Sequence, residues 1–275
     1  MRRFSTTLVV ATSRPCYRVR RAAYWNIPVA GLVGVHRLHP IAIRSLATPA
    51  TFTHHTEFTA MSWDLRDSTA HWNGPHWSVD VALAHESDHP LIQIQDTSQR
   101  PVLCVGITPS ESDGGHSAAG LQFGDAYVRQ KDLIAIFPEL APWRFGYQID
   151  IRLLDEAPLK AVAMEIWLSI QTSLLDSHPQ LELVIKGERF KALVENCWAS
   201  ESCRIGVMVH PLDQQDCHIM LEKDGLAMRV FGRFMEKGVI RRMRFRLVVA
   251  TEPESIADWR ERFEEFSDSP LPLTT

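Results

Sequence analysis

Residues 145–154 read FGYQIDIRLL: Tyr147, Ile149, Ile151 and Leu153 fall on one side, and Gln148, Asp150 and Arg152 on the other. That period of two belongs to a half-buried strand, because successive side chains of an extended chain point to opposite faces. The same period recurs in both directions. WSVDVAL at 77–83 and LIQIQ at 91–95 alternate, and 101–107 is a short apolar run. Residues 126–137 hold a hairpin around 130–132. Residues 161–174 form the longest run, with Met164, Ile166, Leu168 and Ile170 on one face and Glu165, Trp167, Ser169 and Gln171 on the other. Ala, Leu, Met and Glu also suit a helix, so 159–175 reads either way. Runs at 181–186, 204–209 and 218–223 continue the series, and turn formers stand between them at His89-Pro90, His178-Pro179, Gly187 and Asp224-Gly225. Many short strands with such punctuation predict a mainly β chain: an antiparallel β-sandwich or related two-sheet fold. No Gly-rich strand–helix turn supports a doubly wound α/β fold. One C-terminal α-helix is expected, since Ile256, Trp259, Phe263 and Phe266 are spaced three, four and three apart and make one stripe.

The chain has 275 residues, 45% of them apolar and 23% charged, enough to build a core by burial alone. A disordered chain, a collagen and a disulfide scaffold are excluded. The net charge of −4 averages two unlike parts. Residues 1–60 hold eight Arg and a single acid, Glu57. Residues 61–275 hold 21 of the 29 basic residues and 32 of the 33 acidic ones, a net −11. The expected organisation is a basic leader over 1–60, an antiparallel β domain over 61–251, an acidic amphipathic helix over 252–268 and a tail over 269–275. The leader reads as a targeting peptide, a disordered basic arm, or a segment ahead of a true start at Met61. No stretch is long and apolar enough for a membrane span. The acidic domain argues against nonspecific nucleic-acid binding. Five cysteines without a C-x-x-C pair point to reduced thiols and a cytoplasmic location.

The densest constellation is arginine. With Asp224-Gly225 and Lys237-Gly238 as two-residue turns, 218–223, 226–236 and 239–249 become consecutive hairpin strands. Leu221 then pairs with Met228, and Val230 with Phe245. One face carries Leu226, Met228, Val230, Phe234, Met243, Phe245 and Leu247. The other carries Arg229, Arg233, Arg242, Arg244 and Arg246 with Phe231 and Glu222. Arg229 would face Arg246 and Arg233 would face Arg242, which is destabilising unless compensated. Carboxylates on neighbouring strands or the acidic helix compensate in one reading, and an anionic ligand in the other. On the second reading, replacing Arg242, Arg244 and Arg246 with Gln weakens binding and leaves folding intact.

A second polar face, Gln148, Asp150, Arg152, Glu165, Trp167 and Gln171, suits a sugar or an ordinary solvated sheet surface. His71, Trp72, His76 and Trp77 form a further approach, read as a ligand loop or as core plugs. His85-Glu86-Ser87-Asp88-His89 matches H-E-x-x-H, but it follows an alternating run and Pro90 removes the helical context a zinc site needs. Cys197, Cys203, His210 and Cys217 match no common zinc spacing. No cofactor motif is present, and no metal is expected. His210, Asp213 and His218 are the first cluster to test for catalysis. The leading function is a binding or interaction module for an anionic small molecule, a sugar or an acidic protein surface. An enzyme on a polar small molecule and an oligomerising structural subunit are the alternatives.

Overall fold

The computed structural model describes residues 62–83, 91–110, 123–139, 144–154 and 160–270. All lie in the unit Thr56–Thr275. The leader, Met61, the H-E-x-x-H segment at 85–89, most of the loop after Ser110 and the end of the tail lie outside the described residues.

The strands are β1 (Asp64–Arg66), β2 (Thr69–Asn73), β3 (Trp77–Ala82), β4 (Ile92–Asp96), β5 (Pro101–Ser110), β6 (Asp125–Arg129), β7 (Asp132–Phe137) and β8 (Gly146–Leu154). They continue as β9 (Ala161–Gln171), β10 (Gln180–Lys186), β11 (Phe190–Val194), β12 (Cys197–Ser200), β13 (Ile205–Val209), β14 (Cys217–Leu221), β15 (Gly225–Phe231) and β16 (Ile240–Ala250). A 3-10 turn spans Pro211–Asp216, and α1 spans Ile256–Ser267. One antiparallel sheet runs β1-β2-β3-β4-β5-β10-β15-β14, the other β11-β12-β13-β16-β9-β8-β7-β6. The mainly β, two-sheet class with one C-terminal helix is therefore as expected. Residues 161–171 are strand: Met164, Ile166, Leu168 and Ile170 enter the inter-sheet core, which a helix could not do on a period of two. Trp77 joins that core and Trp72 packs against it.

The predicted pairing of residues 226–236 with 239–249 is overturned. β15 pairs with β14 and β10 in the first sheet, while β16 pairs with β13 and β9 in the second. Phe231 and Gly232 both adopt positive φ and end β15, and the chain then crosses to the opposite sheet. Leu226, Met228 and Val230 still face Met243, Phe245 and Leu247, but across the inter-sheet gap. Phe234, expected in that set, lies on the crossing segment and is exposed, whereas its neighbour Met235 plugs the core. The β14–β15 turn is also displaced: Glu222 N–H bonds the Gly225 carbonyl, so Lys223-Asp224 are the central residues and Leu221 pairs with Leu226. The slip is two residues in register, so every side chain keeps its face. Gly225 is needed for closeness rather than for positive φ, since a Cβ there would lie 2.3 Å from the Ile185 carbonyl oxygen.

The helix begins at a reciprocal cap in which the Ser255 hydroxyl accepts from Asp258 N–H and the Asp258 carboxylate accepts from Ser255 N–H. Ile256, at the first helical position, is exposed and leaves the expected stripe. Trp259 and Phe266 are fully buried, with Phe263 beside them, over Ala161, Ala163, Ala199, Met208, Val248 and Ala250 on the outer face of the second sheet. Gly206 makes this possible: a Cβ there would sit 2.1 Å from Cζ3 of Trp259. Gly206→Ala is expected to cost at least about 2 kcal/mol in chemical denaturation, because backbone and indole cannot both stay in place. An unchanged midpoint would mean that the helix is only loosely seated.

Candidate functional site

α1 covers one end of the second sheet's outer face. Over the rest, register sets out a grid across β16, β9 and β8. Arg246 stands beside Glu165, and Glu165 beside Arg152; next come Arg244, Trp167 and Asp150, then Arg242, Ser169 and Gln148. The two polar surfaces read separately from sequence, the β16 arginines and the β8–β9 groove, are thus one surface. Gln171 ends it, opposite Ile240. Arg229, Arg233 and Phe231 do not belong to it. Arg229 lies on the first sheet between Glu182 and His218, Arg233 lies on the crossing segment, and Phe231 is a buried strand end.

Carboxylates on adjacent elements do the compensating. Arg246 Nη2 donates to Glu165 Oε1 at 2.8 Å, with Glu265 of α1 3.6 Å from its Nη1. Arg244 donates from Nε to Asp213 Oδ2 at 3.3 Å, and its own backbone N–H donates to the same oxygen at 2.9 Å. Arg152 binds Asp132 through two 2.8 Å bonds. Arg233 pairs with Asp216 at 2.9 Å, and Arg229 lies 3.9 Å from Glu182. Arg229 does not face Arg246, nor Arg233 Arg242, because β15 and β16 lie in different sheets. Arg244 and Arg246 are each only 3% exposed. Their replacement by Gln would strand buried carboxylates, so it cannot serve as a neutral binding test. Arg242 is exposed and remains suitable.

His210 caps the 3-10 turn. Its Nδ1 accepts from Leu212 N–H at 3.2 Å and from Arg244 Nη2 at 2.8 Å. An accepting Nδ1 places the proton on Nε2, which is buried without an acceptor. Its ring stands edge-on to Phe266, at 5.3 Å, and Arg246 lies 4.9 Å over that same phenyl ring. Burial, then the Arg244 charge, pull the imidazole below its ordinary 6.5. His210 and Asp213 therefore serve Arg244, and His218 sits on the other sheet, so the three do not form a catalytic cluster. The signal for this role was Pro211 directly after His210, a helix-start pair.

Three donor atoms on the grid are buried without an acceptor: Arg244 Nη1, Arg246 Nε and Trp167 Nε1. Trp167 is 9% exposed, and the Arg152 guanidinium lies 6.0 Å over its ring. Asp150 accepts from Gln148 Nε2 at 2.6 Å. Burial pushes its carboxyl above the usual range, against the opposing pull of Gln148, Arg129 and Arg242. Elsewhere His71 Nδ1 pairs with Asp80 on the first sheet, and His76 is exposed. Burial pushes Cys197 and Cys217 up to about 12, so both stay thiols at neutral pH. Among the described residues no three metal-ligating side chains come together, and Cys104, Cys197, Cys203 and Cys217 are free. No described helix is long and apolar enough to cross a membrane.

No protein-family model matches the sequence, and no curated protein matches it. Among solved structures, one described as "Putative kojibiose phosphorylase from human microbiome" aligns with a TM-score of 0.40 and 11% identity. The alignment covers 74% of this chain and 30% of that one, so this chain spans under a third of its length. A likeness so distant carries no argument about activity.

Glu165→Gln is expected to destabilise the protein by about 3 kcal/mol, because Arg246 is left buried beside a neutral group. Glu165→Leu combined with Arg246→Met should recover most of that loss in urea denaturation. A double variant as unstable as the single one would show that the pair's attraction, not the stranded charge, sets the cost. His210 gives a pH dependence of known sign. Its folded pKa lies below the unfolded value, so its contribution is fully present above about pH 6.5 and is lost as pH falls from there through the lower folded pKa. His210→Asn, which keeps an accepting cap atom, should flatten stability between pH 7.5 and 5.5 relative to the parent chain. Parallel curves would place the sensitivity elsewhere.

Proposed function

We propose that this chain is a binding module whose site is the β16–β9–β8 face and whose ligand is a neutral, oxygen-rich molecule of the saccharide class. The observation that carries the reading is the trio of buried donors without acceptors, Arg244 Nη1, Arg246 Nε and Trp167 Nε1, all on one face. Each unpaired buried donor costs about 1–3 kcal/mol, and hydroxyl or ring oxygens would supply the missing acceptors. Neutrality is favoured over negative charge because three of the four grid arginines, Arg246, Arg244 and Arg152, are matched. Glu165 and Glu265 attend Arg246, Asp213 attends Arg244, and Asp132 attends Arg152. Asp150, which accepts from Gln148, adds a carboxylate acceptor for ligand hydroxyls. Entry requires Arg152, the half-exposed member, to turn off the Trp167 ring.

An enzyme acting on the same ligand class is the second reading. Its specific support is Asp150, the grid carboxylate that accepts from an amide rather than a guanidinium and is held toward its protonated form, as a general acid requires.

The test is saturation-transfer NMR with glucose, maltose, glucuronate and glucose 6-phosphate against the full chain. Neutral sugars should bind at least as well as charged ones, and Arg242→Gln, at an exposed position, should weaken them several-fold without lowering the melting temperature by more than a few degrees. Binding that is confined to the charged sugars, or unaffected by Arg242→Gln, sinks the proposal. Release of product that Asp150→Asn abolishes while binding persists would select the enzyme.

A further inference from the structure

The crossing that separates β15 from β16 leaves a surface at one end of the sandwich. The segment 232–239 runs beside the β9–β10 connection, 172–179. The two are laced by Gly238 N–H to the Thr172 carbonyl at 3.1 Å, Met235 N–H to the Ser177 carbonyl at 2.8 Å and a bridge between Ser177 and Met235. Met235 and Thr172 are buried, and the residues between them are turned outward as a result. Eight large apolar side chains are exposed among the described residues, and four of them gather here: Leu175, Phe234, Val239 and Ile240. Leu175 is 80% exposed, and His178 stands edge-on to Phe234 at 6.0 Å. Scattered exposed apolar groups need no explanation, but half of them clustered on two adjoining loops does.

The charge around them is less acidic than the domain's. Segment 232–242 holds Arg233, Lys237, Arg241 and Arg242 against a single acid, Glu236; the facing loop adds Asp176 and holds the Glu139 carboxylate on Ser173. The rest of 61–275 is strongly acidic, and screening over about 8 Å means that an approaching surface feels mainly the local cations. Arg233 is held by Asp216 at 2.9 Å. Arg241 Nη2 donates to the Phe234 carbonyl at 2.8 Å, which fixes a cation next to the exposed ring. Gly238 adopts a φ of 78° at the tip, and nothing lies within 4 Å of where its Cβ would be.

We infer that this end of the sandwich docks on an anionic lipid surface. Apolar side chains at loop tips with cations between them are the two signals that reversible bilayer attachment requires. Phe234, Leu175, Val239 and Ile240 enter the acyl boundary, while Lys237, Arg241 and Arg242 meet headgroup phosphates with their aliphatic stems in the interface. A protein partner would demand a pocket matched to each anchor, whereas a bilayer conforms to protruding tips.

Vesicle co-sedimentation of the full chain tests this, using phosphatidylcholine with and without phosphatidylserine. Binding is expected only with phosphatidylserine and should weaken with salt. Leu175→Glu, Phe234→Glu and Lys237→Glu should each reduce it about tenfold, as expected from losing an apolar anchor or reversing a surface cation. Ile256→Glu, at the exposed first position of α1 beyond the opposite end of β16, should bind like the parent chain and report any unfolding. The inference is overturned if the parent chain does not bind. It is also overturned if the loop variants bind as the parent does, which would leave the basic leader as the attachment, or if Ile256→Glu loses as much. Sedimentation without lipid adds one more overturning outcome: a dimer that Phe234→Glu dissolves, which would make the occupant a second copy.

Discussion

The space between the two sheets is the constraint from which the rest follows. Met228 and Val230 approach it from one side, and Met243, Phe245 and Leu247 from the other. Burying each such side chain stabilises the fold by about 1.5–3 kcal/mol, far more than a surface ion pair contributes. Strands that carry apolar residues at alternate positions can satisfy that demand in one sheet or in two facing sheets. Here the positive-φ pair Phe231-Gly232 ends β15, and the chain crosses. Arginines that would have crowded one face are separated, and Arg229, Arg233, Arg244 and Arg246 each find a carboxylate.

The outer face of the second sheet is divided between an apolar and a polar solution. Near β12 and β13 the strands present Ala199, Gly206 and Met208, and α1 seats Trp259 against them. Alongside, β16 and β9 present Arg246, Arg244 and Glu165, and the helix reaches this polar set at Arg246, with Phe266 and Glu265. Phe266 is the hinge between the two regimes, because its ring touches the His210 imidazole on one edge and underlies the Arg246 guanidinium. The end of the helix, the cap of the 3-10 turn and the polar grid therefore share atoms, and a change in one is felt in the others.

Much of this was legible along the chain. The alternation at 145–154 and 161–171 identified correctly which side chains enter the core, and the spacing of Trp259 and Phe266 located the helix. The turn at 223–224 was misplaced by one residue, yet the faces survived because the error in register was even. β11 and β12 escaped notice: FKALV and CWAS are short and carry no turn chemistry that sets them apart. The partners of the arginines were also hidden. Asp213 is 31 residues from Arg244, and Glu165 is 81 residues from Arg246, and nothing local marks either pair.

By itself the sequence determined the two faces of each strand, the antiparallel two-sheet class and the amphipathic helix, because each depends on side-chain order within a few residues. It did not determine that β15 and β16 belong to different sheets, that β16 lies beside β9, or that two polar patches form one grid. A strand's backbone groups bond equally well to any neighbour, so the choice of neighbour rests on which packing of the whole fills the inter-sheet space. That choice, made only in three dimensions, separated five apparently stacked arginines, gave Arg229, Arg233, Arg244 and Arg246 a carboxylate each and put Trp167 between Arg244 and Asp150.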